Sequence, residues 1–382
     1  MVDYETRAPG VYIEEQVVAG PITGVGTSTA ALIGTPATAI PNAAAGVPVQ
    51  ITNWTGYVTQ FGGFKTGSPL PYAVRGFFDN GGTAAYIVPI KDVKDATQMA
   101  GALDALTRVR EVSLVCVPGL VDSGIQATVL AHCEDMANRF AILDGATDAT
   151  PLKTDGPLQT QRGGLLSKPG WGALYWPWIA VDDPAPTPST TTLVPPSGHV
   201  AGIMARVDGT VGVHKAPANE VVRGARDVAY ALNDTEQGAL NHANINAIRV
   251  FPGRPPLLWG ARTLTDGTVW RYVNVRRLVA FLEASLLQGL RWAVFEPNTT
   301  GLWKSLDRTI SEFLTRVWQS GALFGRTAKE AFYVRIDEEL NPPAVRDAGQ
   351  VIIEIGVAPV RPAEFVVIRI GLWDGGSQTD EG

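Results

Sequence analysis

Chemistry in this 382-residue chain would have to come from a small set of residues. The four histidines, His132, His199, His214 and His242, stand at wide spacings. None has a carboxylate or cysteine at a recurring ligand spacing, so no zinc site is expected. Cys116 lies in the apolar run VSLVCVPG and Cys133 in a predicted helix. That placement fits two buried, reduced thiols better than a disulfide. Asp182-Asp183 and Glu338-Glu339 could serve as acid–base pairs, but both sit at loop edges and read as solvated turns. Gly24-Val25-Gly26 begins like a dinucleotide loop and lacks the third glycine. The sequence holds no Walker A motif, no G-x-S-x-G, no H-E-x-x-H and no C-x-x-C. Trp171, Tyr175, Trp176 and Trp178 could stack on a sugar, though core or subunit-interface packing is the preferred reading. No catalytic residue, metal or cofactor is therefore expected. An α/β enzyme of hydrolase type with an unrecognised site stays as the alternative.

Composition points the same way. Hydrophobic residues make up 45% and charged residues 18%, which is globular composition. A net charge of −6 argues against nucleic acid as the main partner. No apolar run reaches membrane-spanning length, and the N-terminus MVDYETRAPG lacks the features of a signal peptide. The 41 glycines and 27 prolines fall between apolar runs and mark many turns.

Periodicity gives the elements that would position any site. Strands are expected over residues 28–36, 84–89, 112–119, 139–144, 168–182, 247–251 and 257–262. Helices are expected over 72–80, 95–108, 126–138, 199–207 and 234–241. Strand, helix, strand in alternation implies a mostly parallel sheet with helices packed on it. Residues 184–196 (PAPTPSTTTLVPP) read as an exposed loop. Further on, strands are expected over 269–273 (VWRYV) and 292–297 (WAVFEP). Two long helices are expected over 274–288 and 301–320. The first carries Leu278, Phe281, Leu282 and Leu286 on one face. The second carries Leu302, Leu306, Ile310, Phe313, Leu314 and Val317 at helical spacing, opposite Lys304, Asp307, Arg308, Glu312 and Arg316. Strands over 332–337 and 351–357 follow.

The two ends are alike. Residues 11–18 (VYIEEQVV) alternate Val11, Ile13 and Val17 with Tyr12, Glu14 and Gln16, between Pro9-Gly10 and Gly20-Pro21. Near the other end, two β-rich runs, 350–357 and 364–372, flank Pro359-Val360-Arg361-Pro362. Proline fixes its own φ and cannot donate to a ladder, so this spacer is expected to be extended and unpaired. From pattern alone, each terminal strand could pair with its own subunit or with a neighbour.

Several blocks then resemble one family in one order from residue 8 to residue 370. They are APGVYIEE, GHVAGIMARVDGTVGVHKAPANE, LNHANINAIRVFPGRPPLLWGARTL, WRYVNVRRL, FEPN, GALFG, NPP and IGVAPVRPAEFVVIRI. Together they resemble the contractile tail sheath proteins of contractile phages, R-type bacteriocins and extracellular contractile injection systems. The resemblance implies an α/β fold (α+β overall), with an outer α/β domain and an inner domain whose sheet is completed by strands from neighbouring subunits. It implies an N-terminal arm at 1–20, the outer domain at 21–256, the inner domain at 257–358 and a C-terminal arm at 359–382. It also implies stacked six-membered rings around an inner tube protein, with baseplate and terminator or cap proteins as further partners. Assembly in the bacterial cytoplasm and contraction from a metastable extended state are part of the same expectation.

Carried onto this chain, the exchanged residues are Val11, Tyr12, Ile13, Glu14, Val17, Phe365, Val366, Val367, Ile368, Arg369 and Ile370. The receiving strands present Tyr333, Arg335, Ile353 and Ile355. Gly20, Pro21, Pro359 and Pro362 are the hinge tethers. Lys304, Arg308, Glu312 and Arg316 could face the inner tube, or could be an ordinary solvated face.

Overall fold

A computed structural model of the chain describes residues 20–38, 45–184 and 190–367. The first part runs β1 (Ala30–Gly34), β2 (Val49–Ile51), α1 (Trp54–Phe61), α2 (Pro69–Asp79), β3 (Ala85–Pro89), α3 (Ala96–Thr107), β4 (Leu114–Cys116), α4 (Ser123–Met136), β5 (Phe140–Asp144), α5 (Pro157–Gly163) and β6 (Gly172–Trp176). It continues through β7 (Ile179–Asp182), β8 (Thr191–Val194), α6 (Ser197–Thr210), β9 (Glu220–Val221), β10 (Ala225–Val228), α7 (Asp234–His242), β11 (Ile245–Arg249) and β12 (Leu257–Leu258). The last part holds α8 (Val273–Gly289), α9 (Thr300–Gln319), α10 (Ala328–Ala331), β13 (Phe332–Arg335), α11 (Pro343–Asp347) and β14 (Glu354–Val357).

Among the described residues, nine strands share one sheet in the order β2-β3-β1-β4-β5-β6-β11-β12-β9. Neighbours from β3 to β11 are parallel. β2, β12 and β9 extend the two ends antiparallel. The parallel strands are buried on both faces, which is why they read as unbroken apolar runs. Along β1, Ala30 and Leu32 enter one core and Ala31 and Ile33 the other. The first core is filled by α2 and α6 through Leu70, Phe77, Val200 and Ile203. The second is filled by α3 and α4 through Met99, Leu103, Val129 and Leu130. α6 meets α2 backbone to backbone. A Cβ at Gly198 would lie 2.3 Å from the carbonyl of Ala73, and one at Gly202 would lie 2.4 Å from that of Phe77. A separate, smaller antiparallel sheet, β10-β7-β8, adds Ile179, Val181 and Val194 to the first core.

The chain after β12 builds a third core. Leu278 and Leu282 of α8 meet Ile310, Phe313, Leu314 and Val317 of α9. Phe332, Val334, Ile355 and Val357 of β13 and β14 close over them. All six apolar residues expected on α9 are buried.

Some expectations need correction. Residues 269–273 form no strand: Tyr272 makes an isolated bridge to Arg262, and Val273 already begins α8. There the helical spacing of Val275, Leu278 and Leu282 outweighs the β preference of the preceding residues. Residues 292–297 are not a strand either. Arg291–Ala293 is a 3-10 turn, and Phe295 adopts φ 70 with its ring in solvent. The stretch 168–182 divides into β6 and β7, which belong to different sheets.

Candidate strand-exchange site

β13 and β14 form a two-stranded antiparallel ladder pairing Phe332 with Val357 and Arg335 with Glu354. Two strands alone are marginal in water, and this pair is held by its packing on α9. Alternation puts Phe332, Val334 and Ile355 inward, while Tyr333 and Arg335 face outward. The Tyr333 hydroxyl donates to Glu354 at 2.6 Å, and Arg335 binds Asp337 at 2.6 Å and also Glu339. No described strand pairs with the outer edge of either β13 or β14.

The strand expected over 351–357 is shorter than the sequence suggests, running over Glu354–Val357. Asn341, fully buried, donates through Nδ2 to the Ile352 carbonyl at 2.9 Å. Its Oδ1 accepts from the Ile352 amide at 2.6 Å. A side-chain amide thus occupies the backbone of Ile352, so the ladder begins at Glu354 and Ile353 precedes it. Ile353 still packs on the α9 core. Nothing local in NPP announced this pairing, because the partners lie eleven residues apart.

The arm residues Val11, Tyr12, Ile13, Glu14, Val17, Ile368, Arg369 and Ile370 lie outside the described residues. Both arm roots are described. Gly20 and Pro21 are exposed, and the next residue, Ile22, is buried in the α8–α9 core. Arg316 donates to the Ile22 carbonyl at 2.8 Å, and Ser285 Oγ accepts from the Val25 amide at 3.1 Å. Deeper still, Arg277 grips Asp208 with contacts of 3.0 and 2.5 Å and donates to the Thr27 carbonyl at 2.9 Å. The Gly24-Val25-Gly26 run is therefore packed along α8; a Cβ on Gly24 would sit 2.8 Å from the Phe281 ring.

At the other root, the expected unpaired spacer is paired over its first half. Pro359 bridges Leu323, and the amides of Ala358 and Val360 donate to the carbonyls of Ala331 and Ala322. Pro359 escapes the ladder penalty because the bonds are made by its two neighbours, so the prolines alone did not predict this. Pro362 is half-buried beside exposed Arg361 and Ala363. Glu364 is tied down by Arg262, Asn241 and Tyr272. Beyond it, Phe365, Val366 and Val367 are outside any described strand and 73–79% exposed.

On α9, Lys304, Arg308, Glu312 and Arg316 form one exposed row. Glu312 and Arg316 pair at 3.2 Å. Arg316 is thus engaged with Glu312 and with the N-terminal root at once.

The groups that might have done chemistry have structural uses. Trp171, Tyr175 and Trp176 are buried, and the Trp178 indole donates to the Gly145 carbonyl, so no sugar-stacking platform exists there. Asp183 accepts from the Tyr72 hydroxyl and Asp182 pairs with Arg226. Asp144 is fully buried at the end of β5 and accepts from the Gly119 amide and from both the amide and hydroxyl of Ser197. Burial pushes its carboxyl up to about 7 against those donors. Burial also holds His199 down to about 4. Through Ser197 the Asp144 carboxyl joins the end of β5 to the start of α6. Burial raises both thiols, Cys116 and Cys133. Among the described residues, no cluster of three or more metal-ligating side chains occurs.

Residues 92–264 match the phage tail sheath protein central domain, and residues 265–372 match the phage tail sheath C-terminal domain. The chain belongs to the phage tail sheath family. The sheath chain is 26% identical over 298 residues to a protein of Pseudomonas aeruginosa (strain UCBPP-PA14) described as a prophage major tail sheath protein, covering 76% of this chain and 73% of that one. Its fold matches the sheath complex of an extracellular contractile injection system, PVC, in the contracted state, with TM-score 0.82, 30% identity and 97% and 98% of the two chains covered. It also matches the contracted helical sheath of the anti-feeding prophage, AFP, with TM-score 0.79, 31% identity and 96% and 99% covered. The α/β architecture read from the sequence is that of these contractile sheaths.

Proposed function

We propose that this chain is the force-generating subunit of a contractile sheath that joins its neighbours by exchanging terminal strands. The observations that carry the proposal are the two-stranded β13–β14 ladder, with both outer edges unpaired by described strands, and the exposed apolar run at Phe365–Val367. Strand addition satisfies such edges with main-chain hydrogen bonds and takes its specificity from alternate side-chain pockets. Links of that kind survive rigid-body rotation of the subunits if the connecting chain flexes. Six subunits per ring, an inner tube protein, baseplate and cap proteins as partners, and assembly in the bacterial cytoplasm belong to the same proposal. The reading assigns the chain no catalytic task.

Within the subunit we place the arms at 1–20 and 359–382. Leu257–Leu258 sits in the nine-stranded sheet, which favours a division between outer and inner parts nearer residue 264 than residue 256. The row Lys304, Arg308, Glu312 and Arg316 is proposed to face the inner tube, where exposed charge contacts release easily.

Deleting residues 1–19 tests the reading. The protein should keep wild-type circular dichroism and unfolding, because Ile22 onward is held at home, and should fail to polymerise. Tubes formed by the deleted protein would overturn strand exchange at the N-terminus.

A further inference from the structure

The root of the C-terminal segment is fixed at one point between exposed residues. Arg361, Ala363, Phe365, Val366 and Val367 are exposed, whereas the Glu364 side chain is 20% exposed. Its carboxylate receives four hydrogen bonds. Arg262 grips both oxygens, Nε to Oε1 at 2.8 Å and Nη2 to Oε2 at 2.7 Å. Asn241 Nδ2 donates to Oε1 at 2.8 Å, and the Tyr272 hydroxyl donates to Oε2 at 3.1 Å. These donors come from α7, from the turn after β12 and from the residue before α8. Arg262 is itself fixed: Nη1 donates to the Asn241 carbonyl at 2.9 Å, and its amide donates to Oδ1 of fully buried Asn246 at 2.7 Å. A fork-to-fork contact on a side chain held this way is stronger and better directed than a free surface pair. The donors hold the Glu364 carboxyl below the usual glutamate range although burial acts in the other direction.

We propose that Glu364 is the anchor of the C-terminal arm, with Arg262, Asn241 and Tyr272 as its positioning residues. The inference rests on the strand-exchange reading and sharpens it. Residues up to 364 stay with their own subunit, the donated strand begins at Phe365, and flexing between neighbours is confined to the few residues beyond the clamp. The Pro359–Pro362 spacer then becomes a rigid strut between two fixed points, the Leu323 bridge and the Arg262 fork. Force passing along the arm is delivered to the α7–β12 region and from there to the nine-stranded sheet. A fixed root also presents the strand in a limited set of directions, which lowers the entropy lost when a neighbour accepts it.

The test uses the full chain with a nitroxide spin label on one introduced cysteine, Ala363→Cys or Val367→Cys; the native thiols are buried. In the unassembled subunit the label at 363 should be immobilised and the label at 367 mobile. Glu364→Gln should bring the rotational correlation time at 363 down to that at 367, a change of roughly threefold. Arg262→Lys, which keeps the charge and loses the fork, should fall between. The unlabelled Glu364→Gln protein should need about tenfold more protein to form tubes, since its arm is no longer pre-organised. Equal mobility at 363 and 367 in the parent, or no change at 363 in Glu364→Gln, would overturn the anchor. Val367→Pro separates the two ideas: it leaves the clamp intact and removes a ladder donor. That variant should retain an immobilised label at 363 and form no tubes. Normal tubes from Val367→Pro would overturn donation of this strand and leave the anchor to be judged by mobility alone.

Discussion

At the residue scale, the most consequential contacts are buried charges that tie the arm roots to the body. Arg277 and Asp208 are 4% and 6% exposed, and Thr27 shares both partners. Removing one member leaves the other charge buried without compensation. Asp208→Asn should therefore cost about 3–5 kcal/mol in chemical denaturation; a loss of only a few tenths would show that the pair is not desolvated in solution. Glu364 makes a pH-dependent contribution. Its folded-state pKa is depressed below the ordinary 4.5, so the clamp's stabilisation is complete above that value and is lost as pH falls through the folded pKa. The stability difference between wild type and Glu364→Gln should be constant near neutrality and shrink below pH 4.5. A difference that grows on acidification would contradict the assigned direction. None of these partnerships was legible in the sequence. Arg277 and Asp208 are 69 positions apart, and Arg262 and Glu364 are 102 apart. Neither spacing carries a helical or strand period.

At the element scale, burial pattern and periodicity agreed wherever one face of an element meets a core. Both long helices and all the buried parallel strands could be read this way, because their apolar spacing is dictated by packing. The failures came where spacing is uninformative. WAVFEP has β-forming residues and no neighbouring strand to pair with, so it turns instead. Gly198 and Gly202 set how closely α6 approaches α2, which the apolar spacing of 199–207 did not reveal. Gly202→Ala would place a methyl 2.4 Å from the Phe77 carbonyl and should destabilise by about 1–3 kcal/mol, read from the denaturation midpoint. Unchanged stability would mean that the two helices separate freely. Leu314→Ala, at a fully buried position of α9, should cost about 2–5 kcal/mol and loosen the support beneath β13 and β14. By contrast, Val366→Asp alters an exposed side chain and should shift subunit stability by less than about 0.5 kcal/mol while preventing assembly.

At the scale of the whole molecule, helices cover the large sheet on both faces, and α8 also reaches its cores through Val273 and Ala280. The small α8–α9 body carries the two-stranded ladder and the N-terminal root at Ile22, whereas Glu364 is held by Asn241, Arg262 and Tyr272. Ile22 and Glu364 are the outermost firmly held residues near the two ends of the described chain, and Phe365, Val366 and Val367 just beyond Glu364 are 73–79% exposed. A lattice built through such arms can keep its neighbours joined while rigid bodies turn, which is what contraction demands. All of this depends on the chain polymerising into a sheath. Negative-stain electron microscopy of the purified full-length protein at high concentration tests it most directly. Hollow tubes with sixfold-symmetric end views are expected. A protein that stays a monodisperse monomer under those conditions would contradict it.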